Sequence, residues 1–156
     1  MKGFRFTTFE KTAACLCLFL FIATRFFGLE IVSGLSMYPT YTDGDIIVST
    51  KGTERGKINR GDIVIAEIGG RYLIKRAVAI PGDRLVISNG ILYVNGNAED
   101  GFPAMEDAGC ASESITLGAD EYFILGDNRN NSEDSRHFGP VGIDSIRGIA
   151  LNKKGL

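Results

Sequence analysis

The sequence predicts an all-β domain, barrel or sandwich, behind one apolar N-terminal helix. Three observations carry that prediction: an uncharged apolar run from residue 12 to 24, a change beyond it to short alternating or apolar segments, and turn dipeptides such as Gly-Asp and Asn-Gly between them. A chain of 156 residues has room for one modest domain and such an appendage.

The helix comes first. Residues 1–11 carry Lys2, Arg5 and Lys11 against Glu10, and the run Thr12 to Thr24 then holds no charge. That run is shorter than the roughly 20 residues a membrane span wants, but Phe26 to Leu29 extend it, and Arg25 can snorkel to the interface. A cleaved signal peptide would end in a small-residue site, and none stands between Ile22 and Ile31. The expectation is therefore a retained anchor at 12–29. Positive charge before it places residues 1–11 in the cytoplasm and residues 30–156 across the membrane.

Strands follow at turn-punctuated intervals: Asp45 to Ser49, Asp62 to Ile68, Arg71 to Ile80, Asp83 to Ser88, Gly90 to Val94 and Glu121 to Leu125. Asn89-Gly90 and Asn95-Gly96 mark tight hairpins. Residues Asn97 to Asp120 lack a period and carry Glu99, Asp100, Glu106, Asp107 and Glu113, which reads as a solvated excursion. Ile143 to Leu151 supplies a last strand, followed by Lys153-Lys154.

Composition excludes several functions. A net charge of −2 leaves no basic stripe for a phosphate backbone, so nucleic acid is not an expected partner. Cys15 and Cys17 sit in the apolar run, and Cys110 alone lies in the β region, where it has no cysteine to pair with. With His137 the one histidine, no metal site is expected, and nothing calls for a cofactor.

Three stretches carry chemistry. In Ser36-Met37-Tyr38-Pro39-Thr40, Pro39 fixes its own φ and pushes Tyr38 toward extended backbone, so Ser36 is presented where an extended segment meets a turn. A nucleophilic serine needs a base, and His137 lies in a polar loop. Lys75 interrupts an apolar strand between Tyr72-Leu73-Ile74 and Ala77-Val78-Ala79-Ile80, where burial would lower its pKa enough for it to serve. Arg76, on the opposite face, is expected to meet solvent. The third stretch, Gly126 to Val141, packs small polar groups after an apolar strand, as in a bonded network. Asp134 and Arg136 can pair there as a brace, and Ser132 can hold a lysine amine.

These stretches, with Pro81-Gly82-Asp83 between them, resemble the successive boxes of type I signal peptidases, membrane-anchored Ser/Lys endopeptidases. The match runs from Gly34 to Val141. It implies that Ser36 is the nucleophile, Lys75 the general base and Ser132 the group that orients the base. Asp127, Asn128, Asp134, Ser135 and Arg136 are its structural support. It further implies that the strands near Ser36 and Lys75, through Ser33, Gly34, Met37, Leu73 and Ile74, clamp a signal peptide as an added strand. The Ser36 N–H is the expected oxyanion donor. Gly34 stands where many members carry a serine, which leaves a second donor open. Ala79 also replaces a frequent glycine.

Rival readings are a mitochondrial inner-membrane peptidase, a pilin or conjugation maturation peptidase, a self-cleaving repressor and an anchored domain that binds peptides without cutting them. A repressor would carry a helix-turn-helix segment where this chain has its apolar run.

Overall fold

The computed structural model describes residues 7–52 and 58–151. Lys2, Arg5 and the Lys153-Lys154 pair lie outside them. The first element is α1 (Thr8–Phe26), opened by a capping box in which Thr7 Oγ1 accepts from Glu10 N and Glu10 Oε2 accepts from Thr7 N. None of its residues is buried, and Leu16, Phe19 and Phe21 stand exposed along it. Among the described residues no helix is long and apolar enough to cross a membrane.

The helix ends earlier than the sequence suggests. Phe27–Ile31 form strand β1, so the stretch 27–29 assigned to the anchor belongs to the β domain. The reason is long-range: Phe27 to Ile31 pair antiparallel with β2 (Ile46–Thr50), and that ladder overrides the helical continuation of the apolar run.

The remaining strands are β3 (Ile63–Ile68), β4 (Arg71–Ala79), β5 (Arg84–Ser88), β6 (Ile91–Val94), β7 (Asn97–Ala98), β8 (Ile115–Thr116) and β9 (Glu121–Leu125). After them come the short helix α2 (Ser135–Phe138), β10 (Val141–Gly142) and β11 (Ile146–Ile149). The domain is mostly β, as expected, built from three sheets: β1-β2, the five-stranded β10-β9-β4-β3-β11 and the four-stranded β7-β6-β5-β8. A bridge between Ser49 and Ala150 laces β2 to the chain just beyond β11. Both Asn-Gly pairs make two-residue hairpin loops with positive φ at each position, 51° and 76° in one, 53° and 82° in the other.

The excursion at 97–120 is not simply solvated. It contributes β7, a 3-10 turn at Gly109–Ser112 and β8, and it buries Met105, Ala111 and Leu117 against Leu85, Ile87 and Phe123. Those apolar residues are spaced too irregularly to show a period. A second core forms around Val64, Ala77, Tyr122 and Ile124, and a third joins Val32, Met37, Tyr41, Ile47 and Ile63 with Ile74 packed against it. That third core ties the Ser36 turn to β4.

Candidate active site

The central strand β4 builds the site. β4 pairs with β3 from Arg71 to Arg76, placing Lys75 opposite Val64, whereas its ladder with β9 stops at Arg76 opposite Leu125. On that side Arg71 to Lys75 have no ladder partner among the described residues. Chain leaving β9 at Gly126 turns away from β4 and wraps the Ser36 segment. The Ser36 carbonyl accepts from Asn128 N at 3.0 Å, and Asn128 Nδ2 donates to Leu35 O at 3.0 Å. Gly126 permits this approach: a Cβ there would lie 2.5 Å from Ser36 O and 2.2 Å from Ser132 Oγ.

Ser36 sits in a turn closed by Tyr38 N donating to Leu35 O, and its Oγ lies 2.7 Å from Lys75 Nζ. Lys75 is 3% exposed. Burial pushes its pKa below the ordinary lysine value; the charges of Asp134 and Glu133 pull it back up and Arg136 pushes it down again, and burial prevails. Among the described residues no carboxylate pairs with it. An amine so placed gives up its proton more readily than an ordinary lysine, and its neutral form is the one that takes a proton from a hydroxyl.

Gly34 departs from what its position implied. Its φ of +88° is a conformation that side chains rarely adopt, and its N–H is committed to Asp43 Oδ1 at 2.7 Å, so it offers no second oxyanion donor. The Ser36 N–H makes no hydrogen bond among the described residues.

Ser132 Oγ is buried beside Gly126 without a hydrogen bond. It lies close enough to Asp134 to help hold that carboxylate ionised, yet the two do not meet in hydrogen-bond geometry, nor does Ser132 reach Lys75. Asp134 and Arg136 form a buried two-pronged pair at 2.8 and 2.9 Å, and Asp134 Oδ2 also accepts from Gly126 N at 3.1 Å. Burial alone would raise the Asp134 pKa; the Arg136 hydrogen bonds and charge overturn that and lower it. Ser135 Oγ accepts from Ile124 N, pinning α2 to β9. His137 flanks this brace, with Nδ1 accepting from Asp134 N at 3.3 Å.

Arg76 corrects an expectation. It is mostly withdrawn from solvent: its guanidinium is clamped by Asp127 at 2.7 and 2.6 Å, donates to Gly61 O at 2.8 Å and lies over the Phe102 ring. Thr40 donates to the same carboxylate at 2.5 Å. One buried ion pair thereby joins the chain after Ser36, the strand residue after Lys75 and the loop before Ser132. Arg129, also missed, is buried against Phe102 and paired with Glu99.

Beside Ser36 and Lys75 opens a cavity of about 120 Å³ whose lining includes Ser33, Met37, Leu73 and Ile74; Gly34 is not part of it. Val32, Ile65 and Tyr72 also line it. Alternation along the two strands was the signal that would have found Val32 and Tyr72.

A family model described as "Signal peptidase, peptidase S26" matches residues 5–152. The chain belongs to that family. It is similar to Signal peptidase I of Bacillus caldolyticus, 32% identical over 166 residues that cover 94% of this chain and 87% of the relative. It is equally similar to Signal peptidase I S of Bacillus subtilis (strain 168), 32% identical over 150 residues, 86% of this chain and 79% of the relative. Among solved structures, a signal peptidase I from Enterococcus faecalis V583 superposes with a TM-score of 0.50 at 26% identity, covering 62% of this chain and 98% of that one. The chain is accordingly a serine endopeptidase of the signal peptidase I kind, which removes signal peptides.

Proposed function

We propose that Ser36 attacks the scissile carbonyl while Lys75 takes its proton, giving a Ser36 ester that water then hydrolyses with Lys75 again as base. The observation that carries this is the 2.7 Å contact between Ser36 Oγ and a buried lysine amine that no carboxylate pairs with. The proton taken from Ser36 passes to the leaving amine, and the proton taken from water returns to Ser36 Oγ. The Ser36 N–H supplies one oxyanion donor. Ser132 holds the Lys75 amine once the substrate has entered, its unpaired hydroxyl being available for that bond. Asp127, Asn128, Asp134, Ser135 and Arg136 keep the loop in place.

The signal peptide joins the unpaired β4 edge as an added strand. The small cavity then selects small side chains at the first and third positions before the cut, which are the small positions of a signal-peptide cleavage site.

The chain is anchored at the plasma membrane by α1, with the N-terminus cytoplasmic and the β domain outside. Supporting this are the unpacked apolar surface of α1 and the exposed Leu29, Ile31 and Ile46 on the outer face of β1 and β2, which extend that surface to the edge of the site. Membrane lipid is thus a partner. From Glu30 to Ser36 extended chain spans at most about 20 Å, which keeps Ser36 near the bilayer.

Incubating the detergent-solubilised chain with a model preprotein and sequencing the new N-terminus tests the reading. Cleavage after a small residue, abolished in Ser36→Ala, is the expected result. Undiminished cleavage by Ser36→Ala refutes the assignment.

A further inference from the structure

The groove does not end at the small cavity. Glu30, Ile65 and Tyr72 line that cavity and also a second one of about 310 Å³, walled further by Ser49, Lys51 and Arg147. Along β1 and on to Val32 burial alternates: Gly28, Glu30 and Val32 are buried or half-buried, while Phe27, Leu29 and Ile31 are exposed, Ile31 at the rim of the small cavity. Val32 thus lines the small cavity and Glu30 the junction between the two. A Cβ on Gly28 would come within 2.8 Å of Glu30 Oε1 and 2.7 Å of Ser49 Oγ, so the Glu30 carboxylate folds back over Gly28 into the second cavity.

The charges around this cavity are unequally committed. Lys51 Nζ donates to the Thr24 carbonyl at the end of α1 at 2.7 Å, a neutral acceptor that orients its ammonium without neutralising it, and Arg147 Nε is paired with Glu67 at 2.9 Å. Glu30 has no hydrogen bond or ion pair from its carboxylate among the described residues. Tyr72, 65% exposed, places an aromatic ring beside it. An unpaired carboxylate next to an exposed ring suits a cation on a flexible stem: charge meets charge while the stem or the cation lies on the ring.

We propose that the second cavity is a further substrate subsite in which Glu30 selects a basic side chain five residues before the cut. This rests on the added-strand reading of substrate binding given above. In such a strand the first, third and fifth side chains before the cut share one face. The first and third fill the small cavity. The fifth lies about 13 Å from the first at roughly 3.3 Å per residue, back along β1 toward α1, where the second cavity begins.

The test uses the full chain in neutral detergent and three preprotein-derived peptides that differ at the fifth position alone: Lys, Ala or Glu. The expected kcat/KM order is Lys above Ala above Glu, with about tenfold between Lys and Glu at low salt, shrinking as ionic strength rises because the site is open to solvent. Glu30→Gln should compress the Lys-to-Glu ratio to within about twofold, and Glu30→Lys should invert it. Each ratio is taken within one preparation, so a loss of folded protein cancels. Equal rates for the Lys and Glu peptides with the unmutated chain, or an unchanged ratio in Glu30→Gln, overturns the subsite. If the unmutated chain cleaves none of the three, the Ser36/Lys75 reading itself falls and the subsite falls with it.

Discussion

Lys75 and Arg76 are neighbours on one strand, both cationic and both removed from water, yet their surroundings are opposite. Arg76 has a carboxylate in front of it, Asp127, held by two hydrogen bonds at 2.7 and 2.6 Å. Lys75 has a hydroxyl and no carboxylate partner, and its pKa falls. Burial with a counter-charge gives a brace that stays ionised; burial without one gives an amine that surrenders its proton more readily than an ordinary lysine. Strand alternation sends the two side chains to different faces, so one sheet position carries the proposed base and the next an ion pair.

The contrast breaks most sharply if the base is replaced by a cation that cannot release its proton. Lys75→Arg should lower kcat/KM by about 10⁴-fold or more, because a guanidinium stays protonated in the working range. His137→Ala, by comparison, should keep the rate within about tenfold and leave the acid limb of the pH–rate profile where it was. Retained turnover in Lys75→Arg together with a lost acid limb in His137→Ala would transfer the role of base to the histidine.

The brace is tested by removing its charge. Asp127→Asn leaves the Arg76 guanidinium charged and largely buried without its counter-ion, at a cost of about 3 kcal/mol, which lowers Tm by about 10 °C. The acid limb measured on the folded fraction should move only slightly and toward lower pH, since burial is the main cause of the Lys75 shift and the Asp127 charge is the last of those that oppose it. A thermal melt and a pH–rate profile on the same preparation check both parts.

Sequence made one half of this contrast legible. Lys75 announced itself by interrupting an apolar strand, and Ser36 by the turn around Pro39, both local signals. Arg76 was misread because its partner stands 51 residues away in a loop, and alternation says which face a side chain takes but not what waits there. β2 to β6 and β9 were visible from period and turn dipeptides, whereas β1 was hidden because Phe27 to Leu29 continue an apolar helix in one dimension and become a strand only through β2. The buried apolar residues of 97–120 were masked by the acids among them. Ser132 was found by its place in the loop, but its unpaired state is a matter of geometry no pattern encodes.

That unpaired hydroxyl sharpens the contrast at a smaller scale. Ser132→Ala removes a buried group without a partner, so stability should change by less than about 0.5 kcal/mol or rise slightly. If the hydroxyl holds the amine during acylation, kcat should nonetheless fall by 10- to about 10³-fold. A variant with unchanged kcat would show that Ser132 merely fills the corner beside Gly126.

The smallest expected effect concerns the cost of keeping Lys75 unpaired. Its folded pKa lies below the ordinary lysine value of 10.5, so between those two pH values the unfolded chain holds a proton that the folded chain does not. Stability therefore rises with pH across that window and levels off above it; below the folded pKa the full penalty of burying a charged amine is present. Lys75→Met fills similar space and carries no charge to bury. At neutral pH it should be inactive yet more stable by about 1 kcal/mol, raising Tm by about 2–4 °C, with Asp134 and Glu133 keeping the gain modest. The advantage should shrink as pH climbs toward the ordinary lysine value, where the unmutated amine is neutral in both states. A Lys75→Met variant that melts lower than the unmutated chain at neutral pH would mean that Ser36 and the nearby carboxylates already compensate the buried charge. Lys75 would then be a second brace like Arg76.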